Sequence, residues 1–106
     1  MQDLKDIVNA LVIKVFNKHT KLDINKISID DFDLDRIYIN NSEYILRMWN
    51  VFEDGNVEYT LYKTIKNSAL NIGSGRIRTS KQFVRLLQED AEQKYLEYIK
   101  NNNKEK

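Results

Sequence analysis

The chain has 106 residues with a net charge of +1, and 42% of them are hydrophobic and 31% charged. This length suits one domain with one core, and the composition is that of a globular chain rather than a disordered one. The absence of cysteine excludes disulfides, thiolate nucleophiles and cysteine-bound zinc or iron–sulfur clusters.

Nothing in the sequence predicts export or membrane insertion. The first residues lack the pattern of a signal peptide, and no apolar run reaches the roughly 18 residues that a membrane span requires. We therefore expect a small cytoplasmic protein without membrane contact. The chain is rich in Lys, Asn and Ile and has no proline, which is typical of AT-rich genomes. Such a genome can be that of a low-GC bacterium, its plasmid or its phage, and we expect a plasmid or a phage as the source.

The first predicted element is a helix over residues 3–19, where apolar residues recur from Leu4 to Phe16 at the helical period. Residues 20–34 form a connector in which Ile27 and Ile29 favour a short strand or a turn.

A meander of antiparallel strands is predicted next, over residues 35–40, 43–52 and 57–65. Asn40-Asn41-Ser42 and Asp54-Gly55 supply the turns between them. Residues 66–75 are expected to form a flexible loop that ends in Gly73-Ser74-Gly75.

The rest of the chain predicts a brief fourth strand over residues 76–78 and a C-terminal amphipathic helix from about 80 to 100. Thr79 and Gln82 have the spacing of a capping box for that helix. The predicted fold is a single α+β domain over residues 1–100, with an N-terminal helix, a three- to four-stranded antiparallel meander and a C-terminal helix packed on one sheet face. Residues 101–106 are expected to be a frayed C-terminal tail.

Catalytic and metal-binding patterns are missing from the sequence. His19 is the one histidine, and it has no partners that would make a triad or a metal site. The run from Asp31 to Asp35 lacks the glycine and the glutamate of a calcium loop, since Arg36 and Ser42 stand at those positions. We expect no enzyme activity, no catalytic residues, no metal and no cofactor.

The charges are distributed unevenly along the chain. Between Tyr59 and Gln88 there is no Asp or Glu, and this stretch contains six cations: Lys63, Lys66, Arg76, Arg78, Lys81 and Arg85. Such a block, next to the positive end of a helix dipole, suits phosphate groups. The sequence therefore predicts a DNA-binding accessory protein that contacts phosphates through these six residues. Tyr62, on the polar face of its strand, is suited to stack on an unpaired base.

Three alternatives stay open. The acidic segment 30–35 can bind a host protein as a nucleic-acid mimic, in a small plasmid- or phage-encoded inhibitor or adaptor. The acidic and basic blocks can instead neutralise each other within the fold or across a homodimer, since surface charges are usually only solvated. A third, weaker alternative is a metal-dependent enzyme that uses the same aspartates.

Overall fold

The computed structural model describes residues 4–29 and 33–104, and the side chains up to residue 102. The fold is α+β, as predicted, with a helix at each end of the described chain and an antiparallel sheet between them. Its elements are α1 (Leu4–His19), β1 (Ile27–Ile29), β2 (Ile37–Ile39), β3 (Tyr44–Val51), β4 (Asn56–Ile65), β5 (Ser68–Arg78) and α2 (Lys81–Lys104). Asp30 and Asp31 lie outside the described residues.

The sheet has five strands in the order β1-β2-β3-β4-β5, each antiparallel to its neighbour. The sheet has more strands than the three or four predicted because Ile27–Ile29 pairs with Ile37–Ile39. The predicted fourth strand over 76–78 is also longer than expected, since most of the expected loop over 66–75 belongs to β5. Only Lys66 and Asn67 form the turn of the β4–β5 hairpin, and β5 runs for 11 residues beside β4. The outer edge of β5 is therefore a free edge of the sheet.

Helix α1 covers one face of the sheet. Its apolar stripe buries six side chains: Leu4, Val8, Leu11, Val12, Val15 and Phe16. They contact buried residues from β2 to β5: Ile37, Ile39, Tyr44, Leu46, Met48, Val57, Tyr59, Leu61 and Ile77. Residues at the helical period of α1 thus pack against residues at the two-residue period of the strands, because each strand has alternate residues on the covered face.

The predicted turns are confirmed. Asn40, Asn41 and Ser42 have φ values of 55°, 58° and 70°, the left-handed conformation that asparagine tolerates. Gly55 has φ of 96°, and a Cβ there would lie 2.5 Å from the carbonyl oxygen of Thr79. The Gly55 carbonyl accepts bonds from both the backbone N–H and the hydroxyl of Thr79, which joins the β3–β4 turn to the start of α2.

The start of α2 differs from the predicted capping box. Ser80, one residue later than Thr79, caps the helix: its Oγ accepts a hydrogen bond from the Phe83 N–H at 3.2 Å. Thr79 is unavailable for this role because its hydroxyl binds Gly55.

Only the first half of α2 packs against the core. Phe83 and Val84 are buried and Leu86 and Leu87 are half-buried, whereas every side chain from 91 to 102 is exposed. The second half of α2 therefore extends beyond the core. Neither helix in the described chain combines the length and the apolar character that crossing a membrane would require.

Candidate nucleic-acid interface

A groove of about 380 Å³ lies between α1 and the free edge of β5. Its floor consists of Val15, Tyr59 and Ile77, and its sides carry four cations: Lys14, Lys18, Arg76 and Arg78. We call this the β5 groove. The two lysines are one helical turn apart on α1, and the two arginines alternate with buried Ile77 along β5. The groove exists because α1 contacts β5, which is the last strand in the order of the sheet.

The cations of the β5 groove are not equally neutralised. Lys14, Lys18 and Arg78 make no ion pair within residues 4–29 and 33–102. Arg76 Nη2 lies 3.5 Å from Glu58 Oε1, and its guanidinium lies 4.9 Å from the centre of the Phe52 ring. Among the residues that the structure describes, no carboxylate lines the groove, and three of its cations have no ion-pair partner there.

Besides Glu58, Asp54 lies within electrostatic range of these arginines without lining the groove. The pKa of Asp54 lies below its ordinary value, chiefly because the Asn56 N–H and side chain donate hydrogen bonds to its carboxylate. Arg78 and Arg76 add a weaker attraction.

The floor of the groove is fixed by a contact between α1 and β4. His19 Nε2 and Tyr59 Oη lie 2.7 Å apart, and burial raises the pKa of Tyr59. Both side chains pack over glycines of β5: a Cβ on Gly73 would overlap the His19 ring, and a Cβ on Gly75 would lie 3.2 Å from Tyr59 Oη. The glycines that suggested a loop thus make room for this pair within a strand.

The six cations named from the sequence do not form one cluster. Arg76 and Arg78 lie at the groove, and Lys81 begins α2 three residues after Arg78. Lys66 lies in the turn at the opposite end of the β4–β5 hairpin, about 30 Å from Arg78 at 3.3 Å per residue.

The remaining two cations lie outside the groove as well. Lys63 is near the hairpin turn, with its Nζ 6.0 Å from the centre of the Tyr44 ring. Arg85 follows Lys81 by four residues, and both are exposed on α2. The structure therefore divides the basic block into an end at the groove and an end at the hairpin turn.

Lys14 and Lys18 were missed by the sequence analysis. They lie on α1, far along the chain from the basic block, and resemble ordinary solvated lysines on an exposed helix face. The available signal was their four-residue spacing beside the buried Val15, but only the pairing of the strands shows what lies opposite them.

The face of the sheet that the helices leave open carries a second concavity, of about 610 Å³. Tyr38, Ile45 and Tyr62 form its floor, and Arg36, Arg47, Asp33 and Asp35 stand around it. We call it the trough. Asp33 Oδ2 accepts a hydrogen bond from Arg36 Nε at 3.1 Å, and Asp35 Oδ1 lies 3.8 Å from Arg47 Nη2.

The aspartates of the acidic segment show no metal-site geometry. Among the described residues, no group of three or more His, Cys, Asp or Glu side chains is placed to hold a metal ion. The pKa of Asp33 is held below its ordinary value, first by a hydrogen bond from the backbone N–H of Asp35 and then by Arg36.

Comparison with known proteins finds no matching family, no similar curated protein and no similar solved structure. The function therefore has to be inferred from the geometry of the chain itself.

Proposed function

We propose that this protein binds DNA, and that the β5 groove holds the phosphates. The observation that supports this most directly is that four cations, from α1 and β5, line one groove, which no carboxylate of the described residues lines. Phosphates on a nucleic-acid backbone are closely spaced anions, and a row of Lys and Arg side chains binds them by releasing condensed counterions.

Two features make the groove a better phosphate site than scattered surface lysines. Its cations are attached to a helix and a strand, whose relative position is fixed by the buried Val15, Tyr59 and Ile77. Lys14, Lys18 and Arg78 also have no intramolecular ion pair to break among the described residues. Binding therefore costs little reorganisation of the protein.

The proposal has further parts that rest on composition or general argument. A location in the cytosol fits a chain without cysteine, and an origin on a plasmid or phage fits the bias toward Lys, Asn and Ile. A homodimer would give the exposed Leu96 and Ile99 of α2 a contact. Lys81 and Arg85 are proposed as additional phosphate contacts next to the groove, and Lys63 and Lys66 as contacts for a longer DNA.

The acidic segment gives less support to binding of a host protein. Asp33 and Asp35 are its described aspartates, and each faces an arginine. This pairing reduces the negative charge that they present to a partner, so that hypothesis stays a prediction.

The test is the binding of a fluorescent DNA of about 20 nucleotides, single-stranded or duplex, measured by anisotropy over a range of salt concentrations. If the four groove cations engage duplex phosphates, log affinity falls with log salt at a slope of about −3.6. The double variant Lys14→Gln/Lys18→Gln should make this slope shallower by about 1.8.

The matched control is Lys5→Gln/Lys100→Gln, which removes the same charge from exposed positions outside the groove. The control should keep most of the slope. Absence of binding to either DNA at low salt, or equal effects of the two double variants, would show that the groove is not a DNA site.

A further inference from the structure

One row of side chains crosses the open face of the sheet. Tyr38 of β2, Ile45 of β3 and Tyr62 of β4 are direct register partners, so their side chains stand side by side on the same face. With strands about 4.8 Å apart, the two tyrosines stand about 10 Å from each other, on either side of Ile45. We call these three residues the tyrosine row.

The tyrosine row is apolar without being part of the core. All three residues are half-buried, and the buried cluster of the protein is built from the opposite face of the sheet. Within the described chain, neither phenol makes a hydrogen bond and neither ring stacks on another. Hydrogen bonding and ring stacking within the described chain therefore do not account for the two aromatic side chains at these positions.

The trough above the row has the size and composition of a binding site. Its volume of about 610 Å³ lies within the range of ligand pockets, roughly 300–1,000 Å³, and arginines stand beside its aromatic floor. Arg36 and Arg47 are balanced by Asp33 and Asp35, so the trough is close to neutral. An occupant of the trough would be held by stacking rather than by net charge.

From this geometry we infer that the tyrosine row is a stacking platform for unpaired bases, and that the DNA bound by the protein is single-stranded. The inference rests on the proposed function, because the β5 groove supplies the attraction for phosphates. A flat aromatic ring stacks on any base, whereas bases paired within a duplex are not available to a sheet face.

The two sites are connected through Arg76. It belongs to the β5 groove, yet its guanidinium contacts Glu58 and Phe52, and the register pairs it with Glu58. Tyr62 lies four residues farther along β4 than Glu58, which is about 13 Å. A strand of DNA that engages both sites would pass around the β5 edge of the sheet, with phosphates at the groove and bases on the row.

Three probes of equal length separate the two contributions: a single-stranded DNA, its duplex, and an abasic single strand that keeps the phosphates and lacks the bases. Affinity for each is measured by anisotropy at several salt concentrations. The stacking platform predicts that the base-carrying single strand binds at least about tenfold more tightly than the abasic strand.

The variants are Tyr38→Leu and Tyr62→Leu, which remove the ring and keep an apolar side chain. Each should weaken binding of the single strand about tenfold, leave binding of the abasic strand unchanged and leave the salt slope unchanged. The control is Tyr95→Leu/Tyr98→Leu, since both tyrosines are well exposed on the far half of α2. The melting temperature of each variant is measured to confirm that it is folded.

The outcomes separate the two proposals. Equal affinity for base-carrying and abasic strands, or no effect of the tyrosine variants, overturns the stacking platform, while a response to Lys14→Gln/Lys18→Gln still supports the groove. Preference for duplex also overturns the platform and leaves the groove intact. If no probe binds at low salt, DNA binding itself fails, and the inference fails with it.

Discussion

The two faces of the sheet are built from alternate residues of the same strands and have opposite surroundings. On the covered face, apolar residues such as Leu46 and Leu61 lie fully buried under α1, and Gly73 and Gly75 admit the His19–Tyr59 pair. On the open face, Tyr38, Ile45 and Tyr62 lie in register under no helix. Apolar residues on the covered face are explained by stability, and for those on the open face we propose a role in binding.

The largest expected contrast is between adjacent residues of β3. Leu46→Ala should lower the free energy of unfolding by about 2–5 kcal/mol, because the fully buried side chain leaves a cavity. Ile45→Ala, on the open face, should cost about 1 kcal/mol or less. Urea unfolding of both variants measures the contrast. Equal losses would mean that the open face is covered in solution.

The next contrast concerns the glycines of β5. Gly73→Ala places a methyl group against the His19 ring and should lower the free energy of unfolding by about 1–3 kcal/mol. Ser74→Ala, the neighbour on the open face, should be close to neutral. Adding His19→Ala to Gly73→Ala should recover part of the loss, since it removes the group that the methyl meets. If the losses of the two single variants simply add in the double variant, the loss at Gly73→Ala does not come from contact with the His19 ring.

A smaller contrast compares two tyrosines of β4. Tyr59→Phe removes the hydroxyl that bonds His19 Nε2 and should cost about 1 kcal/mol. Tyr62→Phe removes a hydroxyl that makes no hydrogen bond among the described residues, so its stability should match that of the parent. Thermal unfolding of the two variants in parallel tests this, and a reversed order would show that the hydroxyl of Tyr62 has a partner.

The smallest effect concerns pH at the rim of the trough. Because folding holds the pKa of Asp33 below its ordinary value, the ionised carboxylate stabilises the fold above the unfolded pKa, near pH 4. This contribution is lost as the pH falls through the lower, folded pKa, and it is small because Asp33 is near the surface. Asp33→Asn should remove this contribution. The free energies of unfolding of parent and variant should therefore differ more at pH 6 than at about pH 2.5. An equal difference at both pH values would contradict the assignment.

The sequence predicted the elements whose signals are local. The periodicity of α1, the asparagine turn before β3 and the glycine turn after it all follow from side-chain pattern and backbone preference. The assignment of 66–75 as a loop failed because Gly73 and Gly75 are read as flexible from sequence alone. Glycine is needed at these two positions because the side chains of His19 and Tyr59 occupy the space beside them. His19 and Tyr59 lie far from both glycines along the chain.

Two of the four cations of the β5 groove could be predicted from the sequence. Arg76 and Arg78 belong to a block without acids, which is visible as composition. Lys14 and Lys18 become relevant only because β5 is the edge strand beside α1, and strand order is a long-range property. The tyrosine row could not be predicted either. It depends on the register between β2, β3 and β4, which is set by the geometry of the turns and cannot be derived from composition.

The exposed second half of α2 has a practical consequence. Side chains from 91 to 102 are all exposed, and the chain has no cysteine of its own. Asn101→Cys would therefore give a unique thiol for a spectroscopic label, at a site that can be changed without disturbing the packing under α1. A donor dye at that thiol and an acceptor on one end of the oligonucleotide would report the polarity with which the strand lies across the protein.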